Sequence, residues 1–178
     1  MSEGGPRLGL DHLWAGWRSA YIEQVSAADD GPTPPPSASL FEGILRSGRP
    51  DEETFIVHRG SLTFAILNAY PYTNGHVLVL PNRAVPELED LTADEHAELW
   101  STVRDTVVAV KTAYACDGIN VGMNLGKAGG AGVPDHLHVH VLPRWSGDTN
   151  FMTAVAETRV MPETLGASWR KLRDAWPS

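Results

Sequence analysis

Three histidines stand at alternate positions, His136, His138 and His140, with Leu137, Val139 and Val141 in register beside them. Strict polar–apolar alternation is the period of a half-buried β-strand, so the run from Asp135 to Pro143 predicts one. On that strand the imidazoles share a face, about 7 Å apart at each step, and the aliphatic residues face a core. Just upstream, Gly126, Gly129, Gly130 and Gly132 form a loop. Its backbone N–H groups can approach an anion with no side chain in the way. A neutral imidazole is a nucleophile, and its ordinary pKa near 6.5 leaves it mostly neutral at physiological pH. A flanking protonated histidine can stabilise charge on phosphoryl oxygens or assist a leaving group. Together the loop and the histidines form a phosphate cradle beside a nucleophile.

Two other readings stay open on the residues alone. His-x-His on a strand can chelate zinc or iron, though catalytic metal sites usually add a third protein ligand. His136 and His140 lie about 14 Å apart along the backbone, too far to share one metal easily. Three solvated surface histidines over a buried aliphatic face fit the alternation as well. Phosphoryl chemistry ranks first, metal binding second and the solvated face third.

The surrounding elements follow from local signals. Leu10, Leu13, Trp14, Trp17, Tyr21 and Val25 recur at helical spacing and predict an N-terminal docking helix. Residues 26–38, rich in proline, read as an exposed linker. A short helix is expected over residues 40–46, then strands over 54–58 and 62–67 joined at Arg59-Gly60-Ser61. A turn-rich loop from Asn68 to Gly75 leads into a strand that His76 enters. Thr92 and Glu95 have the spacing of a capping box for a helix carrying Leu99, Trp100, Val103, Val107, Val110 and Tyr114 on one stripe. Residues 119–125 read as a strand, and Leu165, Trp169, Leu172 and Trp176 as a last helix. The expected fold class is α+β, an antiparallel sheet of about five strands with helices packed to one side. Residues 1–38 form an arm and linker, and 39–178 a catalytic domain, a single domain overall.

Composition excludes some classes of function. The 178 residues carry a net charge of −8, which argues against a general nucleic-acid binder. No apolar run is long enough to span a membrane. The single cysteine leaves no internal disulfide and no cysteine-built zinc site. The first residues lack a secretory pattern, and the expected compartment is the cytoplasm.

The block His136-Leu137-His138-Val139-His140-Val141-Leu142 resembles the signature of the histidine-triad (HIT) superfamily. Ile66 through Pro81 is similar to that family's preceding block, and the likeness spans roughly residues 53 to 145. Leu13 to Arg18 and the stretch from Pro143 to Phe151 extend it toward the actinobacterial diadenosine-tetraphosphate phosphorylases, close to the fragile-histidine-triad hydrolases. The resemblance implies a HIT-like fold and a two-step nucleotidyl transfer. His138 attacks the α-phosphorus of a dinucleoside polyphosphate, and His140 contacts phosphoryl oxygens and the leaving group. His136 and His76 support those rings, Asn68 holds ribose hydroxyls, and Asn124 with Gly129, Gly130, Ala131, Gly132 and Val133 binds phosphate. On the residues alone, His76 and Asn68 read as a strand-entry histidine and a turn residue. Lys127 and Arg144 can add charge to the phosphates or stay solvated. Trp145 can stack a base or close the core, with the core reading ahead.

Inorganic phosphate or water resolves the intermediate; with phosphate, diadenosine tetraphosphate yields ATP and ADP. Alternatives are a dinucleoside-polyphosphate or nucleoside-phosphoramidate hydrolase, and a nucleotide-binding protein without turnover. No cofactor is required, though magnesium can accompany the polyphosphate, and a homodimer or larger assembly is implied. Zinc-bearing relatives place two cysteines and a histidine where Ser39, Glu42 and Ala84 stand, so structural zinc is not expected. Val133 stands near a serine that some triad hydrolases use for their leaving group.

Overall fold

The computed structural model describes residues 39–148 and 163–177. The expected N-terminal helix, the proline-rich linker and the stretch from Thr149 to Phe151 lie outside the described residues.

Five strands form one antiparallel sheet: β1 (Ile56–Arg59), β2 (Thr63–Leu67), β3 (Val77–Pro81), β4 (Gly118–Met123) and β5 (Val139–Arg144). Their order across the sheet is β1-β2-β3-β5-β4, which puts β5 in the interior next to β3. Among the described residues four α-helices accompany it: α1 (Leu40–Leu45), α2 (Asp51–Thr54), α3 (Ala93–Tyr114) and α4 (Leu165–Asp174).

The two faces of the sheet bury different sets. Val57, Ala65, Leu67, Val77, Val79, Val139 and Val141 pack with Leu99, Val103, Ala109 and Val110 of α3 and Leu172 of α4. The alternate residues Ile56, Phe64, Ile66, Leu78 and Leu80 pack on Phe41, Ile44 and Leu45 of α1 and on Val133. Helices therefore cover both faces, not one as expected. His140 pairs with Leu78, so it lies on the α1 side.

The start of α3 is a complete capping box: the Thr92 side chain accepts from Glu95 N, and the Glu95 carboxylate accepts from Thr92 N. Trp100 does not join the expected stripe and is exposed, because it follows Leu99 by one residue and so turns about 100° away. The expected strand over 54–58 starts late. Pro50 and three acidic residues make residues 51–54 a helical turn, a favourable place for negative charge, and Phe55 ends it in the left-handed region. A four-residue turn has no apolar period to read. At the sheet edge, α4 covers the outward carbonyls of β1: Trp169 Nε1 donates to Ile56 O at 2.8 Å and Arg173 Nη1 to Val57 O at 2.9 Å.

Candidate active site

The histidine run enters its strand later than alternation suggests. β5 begins at Val139, so His136 and His138 precede the ladder. Extending the β3–β5 register would set Leu137 opposite Pro81, which has no N–H; Leu137 N donates instead to Val85 O at 2.7 Å. The alternation of faces persists, with Leu137, Val139 and Val141 buried in the helix-side core. All three histidines are buried too, at 0%, 5% and 9% exposure for His136, His138 and His140. A solvated histidine face is thereby overturned.

Hydrogen bonds fix which nitrogen of each ring carries the proton. His138 Nδ1 lies 2.8 Å from the His136 carbonyl, which can only accept. Nδ1 is therefore protonated and Nε2 keeps its lone pair in the neutral ring. Burial holds the His138 pKa below its usual value, against the opposing effect of that carbonyl bond. The neutral, nucleophilic form prevails at neutral pH.

A second chain of bonds orients His140. His76 Nδ1 accepts from the Tyr72 backbone N–H at 3.2 Å, with the Asn68 side-chain amide at 3.3 Å. His76 Nε2 consequently bears a proton and donates it to His140 Nδ1 at 2.9 Å. His140 Nε2–H is left as a buried donor that meets no partner among the described residues. Burial first, then His138, pushes the His140 pKa down to about 4. The His138 and His140 rings sit edge to face, 4.9 Å apart. A lone pair and an orphaned donor thus stand side by side, as an electrophilic centre bearing an oxygen requires.

His136 is tied on both nitrogens. Nε2 donates to Pro81 O at 2.8 Å, and Nδ1 meets the Ser39 hydroxyl. These commitments leave the triad unsuited to closing on one metal ion. Among the described residues no group of three or more His, Cys, Asp and Glu side chains is placed to hold one.

The glycine loop differs from a simple row of free amides. Gly130 N donates to Lys127 O at 3.0 Å and Ala131 N to Gly126 O at 3.2 Å, while Asn124 Nδ2 clamps Gly130 O at 3.2 Å. Asn124 therefore shapes the loop. Gly129 is fixed by sterics, since a Cβ there would lie 2.3 Å from Leu125 O. Gly132 and Val133 follow, and Val133 packs against the α1-side core. Lys127 is exposed on this loop. Asn68 serves its own turn as well, its Oδ1 accepting from Tyr70 N at 3.0 Å.

Trp145 and Arg144 are not brought to the histidines. Trp145 lies five residues past His140, about 16 Å along an extended chain, and packs edge-on against Tyr114 at 6.2 Å. Arg144 binds Asp148 and Asn120 at that same far end. Sequence reasoning missed Ser39, Tyr72 and the Pro81 carbonyl as partners of the triad. Only the family likeness singled out Ser39, as a replacement for a zinc-binding cysteine.

A match to the HIT domain family covers residues 49–147. A Mycobacterium tuberculosis protein named AP-4-A phosphorylase is 40% identical over 172 residues, 97% of this chain and 87% of that one. The chain belongs to the HIT family. A Schizosaccharomyces pombe HIT relative named bis(5'-nucleosyl)-tetraphosphatase (asymmetrical) is 39% identical over 93 residues, 52% of this chain and 50% of its own. The zinc-bound histidine triad family protein from Mycobacterium smegmatis has the same fold, with a TM-score of 0.63 and 26% identity over 78% of this chain and 92% of that one. The expected fold class and family both hold, and the protein is an enzyme of the HIT family.

Proposed function

We propose that this HIT enzyme transfers a nucleotidyl group from a dinucleoside polyphosphate to inorganic phosphate, through a covalent intermediate on His138. The observation that carries the reading is the pairing of a bare His138 Nε2, set by the 2.8 Å bond from Nδ1 to the His136 carbonyl, with the unpartnered His140 Nε2–H beside it. Nε2 attacks the α-phosphorus, an N–P bond forms, and the P–O bond to the β-phosphoryl group breaks. His140 Nε2–H donates to a phosphoryl oxygen as charge builds there. From diadenosine tetraphosphate the leaving group is ATP. Phosphate then attacks the adenylyl-histidine, restores the imidazole and leaves as ADP.

Asn124 and the loop through Gly129, Gly130, Ala131, Gly132 and Val133 frame the phosphates, and Lys127 adds charge at the loop tip. Asn68 reaches ribose hydroxyls from the turn that also steadies His76. Magnesium accompanies the polyphosphate as part of the substrate, with no resident cofactor. The name of the M. tuberculosis relative supports phosphate as acceptor, and that of the S. pombe relative supports water. Diadenosine tetraphosphate incubated with and without phosphate separates the two: ATP plus ADP only with phosphate supports phosphorolysis, and AMP regardless of phosphate supports hydrolysis. No product in either arm would contradict both.

Among the described residues the outer edge of β4 ends the sheet, and Val121 on it is exposed, which supports pairing of two copies along this edge. Light scattering in solution tests that homodimer; a monomer would overturn it. No helix among the described residues is long and apolar enough to cross a membrane, and with one free cysteine we place the enzyme in the cytoplasm.

A further inference from the structure

We infer that Ser39 is a positioning residue for the nucleophile, locking the His136 ring so that its main-chain carbonyl aims His138. The inference rests on the reading of His138 as the attacking group. His136 is fully buried, and burial holds it neutral. Its Nε2–H is spent on Pro81 O at 2.8 Å, so Nδ1 is a bare acceptor in need of a donor. The Ser39 hydroxyl is that donor. Ser39 Oγ in turn accepts from Glu42 N at 3.3 Å, as the cap of α1, which leaves its single proton for His136.

The ring needs these anchors because its backbone has no ladder to hold it. His136 lies three residues before the start of β5, and its own N–H makes only a 3.3 Å contact with Val133 O. Yet its carbonyl sets the tautomer and direction of His138. One ring nitrogen is fastened to β3 and the other to α1, and Phe41 of α1 closes the gap. Its ring stands edge-on to His136 at 5.6 Å and tilted to His138 at 5.9 Å. The six-residue helix and its cap thus carry both an apolar wall and a hydrogen-bond donor for the nucleophile's support.

Three variants separate positioning from helix capping. Ser39→Ala removes both hydroxyl and cap; Ser39→Thr keeps both; Ser39→Gly keeps most of the cap strength and removes the hydroxyl donor. Expected results are a kcat lowered roughly five- to tenfold in Ser39→Ala, the scale of one neutral hydrogen bond. KM for diadenosine tetraphosphate stays within about twofold by the same scale, since Ser39 touches no substrate. Ser39→Thr recovers kcat, and Ser39→Gly melts close to the wild type but shares the kcat loss. Nitrogen-15 spectra of the substrate-free protein should show His136 as the Nε2–H tautomer with a hydrogen-bonded Nδ1, whose signal shifts in Ser39→Ala as that bond is lost. Wild-type kcat in Ser39→Gly, or an unchanged His136 Nδ1 signal in Ser39→Ala, overturns the inference. Failure of the underlying reading has a different signature: His138→Ala stays active while the His136 Nδ1 signal still depends on Ser39.

Discussion

A single imidazole can attack phosphorus only while it holds a lone pair toward the substrate, and at His138 two separate effects secure that. The carbonyl of His136 takes the Nδ1 proton, and burial keeps the ring neutral. The pH dependence follows with a definite sign. A histidine whose pKa lies below 6.5 is already neutral at pH 6.5 and above, so kcat/KM should stay level through neutral pH. It should fall only as acid protonates His138, with the limb displaced below pH 6.5. A pH–rate profile checks this; a limb at or above 6.5 would contradict it. His138→Ala should lower kcat at least about a thousandfold while nucleotide affinity, read by calorimetry, persists. Alternation and family likeness made His138 legible as the proposed nucleophile. Its tautomer was not, because that depends on where the backbone carbonyl of a neighbouring residue points.

Elements supply that geometry, and their legibility tracks how local their causes are. The capping box at Thr92 and the 22-residue helix after it follow from spacing within a few residues. The contact of Ser39 with His136 spans 97 positions, and no local pattern encodes it. The late start of β5 depends on what β3 ends with, a proline, and so on a pairing the chain alone does not reveal. Glu95 shows how one cap serves two ends. The Arg83 guanidinium bonded to it, helped by the Thr92 amide, holds its carboxyl down to about 2 against the cost of burial. A depressed carboxyl contributes stability that is present above its unfolded value near 4.5. That stability is lost as pH falls from there toward 2. Glu95→Ala should cost roughly 1–2 kcal/mol at pH 7, discounted because Arg83 is half exposed, and the cost should vanish in strong acid. Denaturant titration at the two pH values measures it. Gly129→Ala forces the loop off Leu125 O, so turnover should drop several-fold and the melting temperature should fall as well, a combination read by kinetics beside calorimetry.

At the scale of the molecule, the sheet is a partition. One face is a dry core under α3 and α4, and the other carries the histidines under α1. Composition and periodicity made the sheet and its long helix readable. The division of helices between faces was not readable, since α1 is too short to show a stripe of its own. The α3–α4 side keeps the register that sets the histidine side, so damage there should reach the site only through the folded fraction. Leu172→Ala, at a fully buried position, should cost about 2–4 kcal/mol while the residual folded protein keeps its kcat. The most direct test of the whole account is chemical trapping. Enzyme mixed with diadenosine tetraphosphate, quenched without phosphate and mapped by mass spectrometry should carry one adenylyl group, acid-labile, on His138. Adding phosphate should release it as ADP. Adenylylation of His136 or His140, or turnover with no protein-bound nucleotide and inversion at phosphorus, would contradict the account.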